Sequence, residues 1–461
     1  MDTKINNNFL MNEYETMNLL SMLSKNNKNI ASRYQFGEVF TPVELIEDLL
    51  NYLDKVYITE HKKTIYSNPN LKWLDSSAGI GNFFIRLFYR LFNNIPIKNE
   101  QSRIRHIIEN MLYFSEKNKD NASIINKIFG FNNIKPNLYV GDSLSTNLSS
   151  KWNINEFDII IGNPPYNQNG ISSITKGKNS ASNSIWTSFI NNSFQNLKQN
   201  GYLVYITPLS WLKNTHSIYS ELLNKNLLYL KLISNSYSYK LFNIKIPISF
   251  FICQNQPFKN KTITQYYCPN NTLKTENIIL PRSISLPVGY FSIFKKLHKF
   301  ITNNNLQLDA IFKIVNSTGE KIPLPNKYSL KDNYAVDTYK LKHGIFVKKT
   351  NILHPHANLQ KIIFANKSSL QGGFIDDGNL SLTGNHKAYI LGPNLEIIKE
   401  LFDFKIIRVI ETYMKFYNDL IDRDSFIYIP DIRLLPQPVT EKQLYKLIGF
   451  TQNELKELDK F

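Results

Sequence analysis

FDIIIGNPPYNQNG, residues 157–170, opens with apolar residues that read as a buried strand and then stops at Asn163, two prolines and Tyr166. Pro164 and Pro165 fix their own φ and carry no N–H donor. The strand therefore ends by presenting an amide and an aromatic ring in a turn that cannot relax. Around it, from Gly37 to about Pro257, short apolar runs alternate with helical patterns, as a parallel α/β sheet requires. Strands are expected over 71–75, 111–115, 137–141, 157–162, 201–207, 227–234 and 248–254. The segment NSYSYKLFNIKIP, residues 235–247, leaves no room for a full crossover helix between the last two, so an antiparallel edge strand is expected. NQNGISSITKGKNSASNS, residues 167–184, is long, polar and aperiodic, and reads as a mobile loop directly after the Asn-Pro-Pro-Tyr turn. Beyond residue 258 the chain turns to Asn-, Lys- and Pro-rich connections and irregular β-like runs, which places a domain boundary near 258–285. No internal repeat is visible.

The 461 residues are too many for one ordinary core and suggest two domains. No stretch approaches the ~20 apolar residues of a membrane span. The N-terminus lacks a basic region followed by an apolar one, so no secretion signal is read and a cytoplasmic protein is expected. Two cysteines, Cys253 and Cys268, exclude a disulfide framework and a four-cysteine zinc site. A net charge of +17 favours a polyanionic partner. Base-composition bias toward Lys and Asn produces the same charge, so this supports nucleic acid without proving it.

Three further stretches bear on chemistry. In GEVFTPVELIEDLL, Thr41 is a natural N-cap, Pro42 suits the first helical position, and Glu44 completes a capping box. The free N–H groups of such a helix start suit a carboxylate. In KWLDSSAGIGNFFIRLF, Asp75 ends a strand and the Gly79 and Gly81 spacing lets backbone approach a ligand, while the full dinucleotide fingerprint is incomplete. Glu116 ends the second strand, where an acid can bond ribose hydroxyls, and Asp142 ends the third. Three acids ending three successive strands mark the ligand-binding edge of a doubly wound sheet, and Asn163 to Tyr166 end the fourth strand on that edge.

GEVFTP, LDSSAGIGNFF, SEKN, GDSL and IIIGNPPY, in this order, resemble the AdoMet-dependent N6-adenine DNA methyltransferases of restriction-modification systems, in which the cofactor motifs precede the catalytic one. The resemblance covers residues 37 to 257 closely, and the closing QLYKLIGFTQNELKELDKF is similar to the tail these enzymes often carry. It implies a Rossmann-like AdoMet-dependent methyltransferase sheet with an antiparallel edge strand, then an α+β target recognition domain: an N-terminal extension over 1–36, catalysis over 37–265, recognition and tail over 280–461. It also implies that Thr41, Pro42, Asp75, Ala78, Gly79, Gly81, Glu116 and Asp142 hold S-adenosyl-L-methionine. Asn163, Pro164, Pro165 and Tyr166 would act on the amine, and Phe242, in KLFNIKIPISFFI, would be a second ring against the target base. Ser76-Ser77 stand where Pro-Ala or similar is frequent.

These residue types suit that chemistry. An adenine amine has its lone pair delocalised into the ring; acceptors on both of its hydrogens, the Asn163 side-chain oxygen and the Pro164 carbonyl, would hold it pyramidal. The base must first be flipped out of the duplex. Double-stranded DNA is the implied partner, with a separately encoded restriction endonuclease as a further one. The rival readings are an RNA adenine methyltransferase and a protein glutamine N5-methyltransferase. The latter family carries a helical domain before the fold and little after it, whereas some 200 residues follow here. His354 and His356 lack a third ligand at a sensible spacing, so no metal site is expected. Pro430-Asp431 and Glu441-Lys442 lack the spacing of the nucleases fused to some of these enzymes, and 36 N-terminal residues leave no room for one, so no cleavage activity is expected.

Overall fold

The computed structural model describes residues 41–167, 184–242, 246–259, 261–312, 318–340, 344–365, 370, 373–382, 387–416 and 423–461. The expected extension over 1–36, Gly37 to Phe40 of the first motif and most of the polar loop (168–183) lie outside them. The chain forms two units: one runs to Trp211 and takes in Thr215–Gln265 and Thr275–Arg282, and the other comprises Leu212–Asn214, Tyr266–Lys274 and Ser283–Phe461. No helix among the described residues is long and apolar enough to cross a membrane.

A nine-stranded sheet, in the first unit except for Tyr266, Tyr267, Leu273 and Lys274, comprises β1 (Trp73–Asp75), β2 (Leu112–Glu116), β3 (Asn137–Val140), β4 (Phe157–Gly162), β5 (Leu197–Pro208), β6 (Lys225–Ile233), β7 (Ile248–Pro257), β8 (Thr262–Tyr267) and β9 (Leu273–Ile278). Their order is β3-β2-β1-β4-β5-β7-β6-β8-β9. The first five pair in parallel. All seven expected strands are present. The antiparallel one is β7, which pairs with β5 on one side and β6 on the other. It is therefore internal rather than an edge strand, because β6, β8 and β9 continue the sheet beyond it. The segment 235–247 also holds more helix than its length suggested.

Helices α1 (Val43–His61), α2 (Asn82–Asn94), α3 (Lys119–Phe129), α4 (Trp186–Asn196) and α5 (Asn235–Phe242) accompany the sheet. On α1 the buried Leu45, Ile46, Leu49, Leu50 and Leu53 recur at the three- and four-residue spacing of one helix face. Together with Phe84, Phe88 and Leu91 of α2 they form the core on one side of the sheet. Polar ties fix α1 further. Glu47 takes both Arg86 and Arg90 of α2, Lys231 of β6 donates to Asp48 at 2.7 Å, and the rings of Tyr52 and Tyr229 stack at 4.1 Å. The start of α1, next to the site, is thereby held rigidly.

The second unit contains a four-stranded sheet, β10 (Thr318–Pro323), β12 (Gly344–Lys349), β11 (Tyr334–Lys340) and β15 (Ser381–Leu382), and a three-stranded one, β14 (Phe374–Asp377), β13 (Gln360–Ala365) and β16 (Lys387–Leu391). Val336, Val347, Ile363, Leu380 and Tyr389 form a shared core. Helices α6 (Phe291–Asn303), α7 (Lys405–Tyr413), α8 (Glu441–Ile448) and α9 (Gln452–Leu458) complete it. The last two each begin with a capping box, Thr440 with Gln443 and Thr451 with Glu454.

A fully buried ion pair lies in this unit. Lys361 Nζ is 2.6 Å from Asp376 Oδ2, with side chains 2% and 0% exposed, and Nζ also donates to the carbonyls of Ala357 and Leu359. Asp376 in turn accepts the N–H groups of Asn379 and Leu380. Removing one partner strands the other charge, so Asp376→Ala is expected to cost about 3–5 kcal/mol. The paired Lys361→Met/Asp376→Leu should recover much of that, as read from urea unfolding followed by fluorescence.

Candidate active site

The site begins where β1 and β4 end side by side. Parallel pairing sets Trp73 against Ile159 and Leu74 against Ile160, so Asp75 and Gly162 emerge together. A Cβ on Gly162 would lie 2.8 Å from Asp75 Oδ1. The residue before Asn163 is a glycine because the neighbouring carboxylate fills the space. Asp75 is 1% exposed and its pKa is pushed up to about 8, by burial first and by the nearby Glu116 carboxylate, against a hydrogen bond from the Ser77 N–H.

Asn163 donates from Nδ2 to Thr41 Oγ1 at 3.3 Å. This explains a departure from the expected helix start. Pro42, rather than Thr41, is the N-cap of α1, and no side chain caps it. Glu44 is exposed, and the capping box does not form. The Thr41 hydroxyl serves the Asn-Pro-Pro-Tyr turn instead. Pro164 is buried, while Pro165 and Tyr166 are half-buried. The Tyr166 ring packs against the core, and loss of hydration raises its hydroxyl pKa well above the ordinary value. Its carbonyl accepts the Ile185 N–H at 3.2 Å, and Asn167 pairs with Ser184. The two residues that flank the polar segment therefore meet beside Tyr166.

The other acids end their strands as expected. Glu116, 8% exposed, accepts the N–H groups of Gly79 and Asn118, each at 2.7 Å, and so ties the glycine-containing turn to β2. Asp142 accepts the Leu144 N–H and the Lys117 ammonium, at 3.0 and 2.9 Å. Burial works against its ionisation, but Lys117 and the Leu144 N–H hold its pKa below the usual value. Ala78 is buried, and Gly79 and Gly81 adopt φ of 56° and 90°, which favour glycine. Phe242 is the last residue of α5; its side chain lies outside the described residues.

Sequence reasoning missed the role of the serines. Ser76 Oγ and Ser193 Oγ each lie 2.8 Å from the Tyr205 hydroxyl. The Ser143 hydroxyl donates to the Ser76 carbonyl and meets Ser115 Oγ at 2.7 Å. A buried chain of hydroxyls thus crosses beneath the strand ends from β2 to α4, and Ser76 belongs to it. Ser77 Oγ and Asn82 Oδ1 are also buried, with no hydrogen-bond partner among the described residues. Buried polar atoms left unpaired are costly. With the uncapped start of α1 and the two glycines, they give this loop the character of a ligand cradle, and the residues fit a cofactor with a charged amino-acid end. His354 and His356, apart from this site, both meet the hydroxyl of Tyr389, and no group of metal-ligating side chains is found among the described residues.

The raised pKa of Asp75 has a definite consequence for stability. The folded state keeps the carboxyl proton that the unfolded chain releases near pH 4, so the contribution is full below about pH 4 and is lost as pH rises toward 8. Asp75→Asn should flatten the decline of the thermal midpoint between about pH 4 and 8, as measured by calorimetry without ligand.

Residues 20–242 match the Eco57I restriction-modification methylase family. The chain is 24% identical over 302 residues to an uncharacterized adenine-specific methylase of Mycoplasma pneumoniae, covering 49% of this chain and 69% of that one. Among solved structures, the Type IIL restriction-modification enzyme MmeI in complex with DNA aligns over 93% of this chain and 76% of that one at 12% identity, with a TM-score of 0.50, a likeness of fold. A modification subunit of a putative type I restriction enzyme from Vibrio vulnificus YJ016 aligns over 75% of this chain at 14% identity and a TM-score of 0.43. The aligned part is 66% of that subunit, just under two thirds of its length. All four strand ends that carry the site fall inside the segment, residues 20–242, that is similar to the Eco57I restriction-modification methylase family.

Proposed function

We propose that the chain is a site-specific DNA adenine-N6 methyltransferase, the modification component of a restriction-modification system, working in the cytoplasm on double-stranded DNA. The observation that carries the reading is Asn163-Pro164-Pro165-Tyr166 at the end of β4, with the Asn163 amide oriented by Thr41 and the cradle of β1 beside it. The adenine-specific name of the Mycoplasma relative and the DNA bound by MmeI support it.

S-adenosyl-L-methionine, when bound, supplies the electrophilic methyl group. The N–H groups at the start of α1 would take its carboxylate. Glu116 would hold the ribose hydroxyls, Asp142 would face the adenine, and the turn from Asp75 to Gly81 would bear the methionine end. With Nδ2 given to Thr41, the Asn163 oxygen is the end of the amide that accepts from the target amine, and the Pro164 carbonyl accepts its other hydrogen. The nitrogen is thereby held pyramidal with its lone pair aimed at the methyl group. Tyr166 offers a stacking face worth about 1–3 kcal/mol against the cost of extruding the base, and Phe242 is assigned a second one. The amine would attack as the neutral species, so no base is needed beforehand; the sulfonium would supply the methyl group and depart as a neutral thioether, and the excess proton on the methylated nitrogen would pass to water. Recognition is assigned to residues 280–461, and cleavage to a separately encoded endonuclease.

Asn163→Ala should lower methyl transfer by ~10²-fold or more, while calorimetric AdoMet binding and gel-shift DNA binding persist. Retention of a tenth of the activity sinks the assignment. The product and site are read by treating unmethylated genomic DNA and mapping modified adenines by single-molecule sequencing; label recovered in RNA or in a protein glutamine would replace this reading with its rivals. Exchanging residues 285–440 for the matching region of a relative should change which sequence is modified and leave N6-methyladenine as the product.

A further inference from the structure

Ten large apolar side chains are exposed among the described residues, and one pair of them is adjacent in sequence: Ile352 and Leu353, 54% and 51% exposed. They sit in the second unit, at the tip of the connection between β12 and β13. Loop tips are ordinarily polar and mobile. This one is apolar, and its base is pinned at three places. At the entry, the Thr350 N–H donates to the Asn333 carbonyl at 2.8 Å, and Thr350 Oγ1 bonds both the N–H and the carbonyl of Ile352 at 3.2 and 3.1 Å. In the middle, His354 and His356 reach the Tyr389 hydroxyl at 3.3 and 2.8 Å. At the exit, the Ala357 and Leu359 carbonyls accept from the buried Lys361 ammonium.

The surroundings specify a partner. Residues 321–370 contain nine lysines and two aspartates and no other charged residue; Lys361 is spent on the buried Asp376, and Lys321 and Lys348 share Asp337. Lys327, Lys331 and Lys349 are exposed, and Lys349 immediately precedes the loop. An apolar pair held stiffly amid lysines matches a duplex: phosphates for the ammonium groups, and stacked base edges for the two side chains. Proteins that deform DNA insert Leu, Ile and similar residues between base steps in this way.

We propose that Ile352 and Leu353 form an apolar wedge that enters a base step of the bound duplex and lowers the cost of extruding the target base. This rests on the reading of the chain as a DNA methyltransferase. The loop's hydrogen bonds matter because a mobile tip would spend on ordering what insertion gains.

The test uses the full chain and duplexes carrying the mapped site, with 2-aminopurine at the target and in turn at each flanking position. Wild-type protein should raise fluorescence at the target and at one neighbouring step. Ile352→Ala/Leu353→Ala, altered only at exposed positions, should keep its thermal midpoint and AdoMet affinity, lose both signals, and methylate matched duplex at least about tenfold more slowly. A mismatch at the target, where unstacking is cheaper, should bring its rate to within about threefold of wild type. Ile352→Lys/Leu353→Lys should bind DNA at least as tightly yet fail to unstack it, separating insertion from attraction. Unchanged fluorescence and rate in the alanine variant, or an equal loss on matched and mismatched duplex, overturns the wedge while the methyltransferase reading stands. A change in sedimentation mass with DNA behaviour intact overturns it in favour of a contact between copies. Wild-type protein that modifies no duplex overturns the underlying reading and the wedge with it.

Discussion

The closeness of β1 and β4 governs the arrangement of the site. Asp75 is buried where a side chain on Gly162 would have to go, so the strand that delivers Asn163 can end only in glycine. That single exclusion places the acid-bearing turn and the Asn-Pro-Pro-Tyr turn within a few ångströms of one another. Glu116 then ties the turn after β1 back to β2 through the Gly79 N–H, and Thr41 ties the start of α1 to Asn163. Three otherwise separate chain segments are thereby locked around one space. The polar contacts are few, and each is made by a residue whose position a strand or helix already fixes.

Much of this architecture was legible in the sequence. The seven strands stood out because the central strands of a parallel sheet are apolar throughout, as in Ile159 to Ile161, and because the acids interrupt those runs at their ends. The antiparallel strand was legible as a strand, but its place was not. Whether β7 lies at the margin depends on β8 and β9, and β9 alternates between exposed and half-buried residues and carries little apolar signal of its own. Thr41 shows a different limit. A threonine before a proline has the local chemistry of a cap, and what redirected its hydroxyl was an amide distant in sequence by 122 residues.

The serines illustrate the same limit more strongly. Ser76 stands where the resemblance led to the expectation of proline, and nothing local explains it. The explanation is Tyr205, on β5, whose hydroxyl stands between Ser76 and Ser193. A proline at 76 would restrain the backbone through its ring; here a hydroxyl chain across several elements holds the same turn. Such pairings are invisible to periodicity because each hydroxyl is unremarkable alone. The second unit was harder to read for a related reason, since its strands are short and its core is shared between two small sheets rather than repeated along one.

The pairing of Asn167 with Ser184 joins the two residues that flank the stretch 168–183. Both flanks are fastened to the same spot, so additions or deletions between them transmit no displacement to Tyr166 or to α4. The entropic cost of joining two such ends grows only with the logarithm of the chain length between them. A short peptide tag or reporter inserted between Asn167 and Ser184 would therefore leave the geometry of the Asn-Pro-Pro-Tyr turn intact.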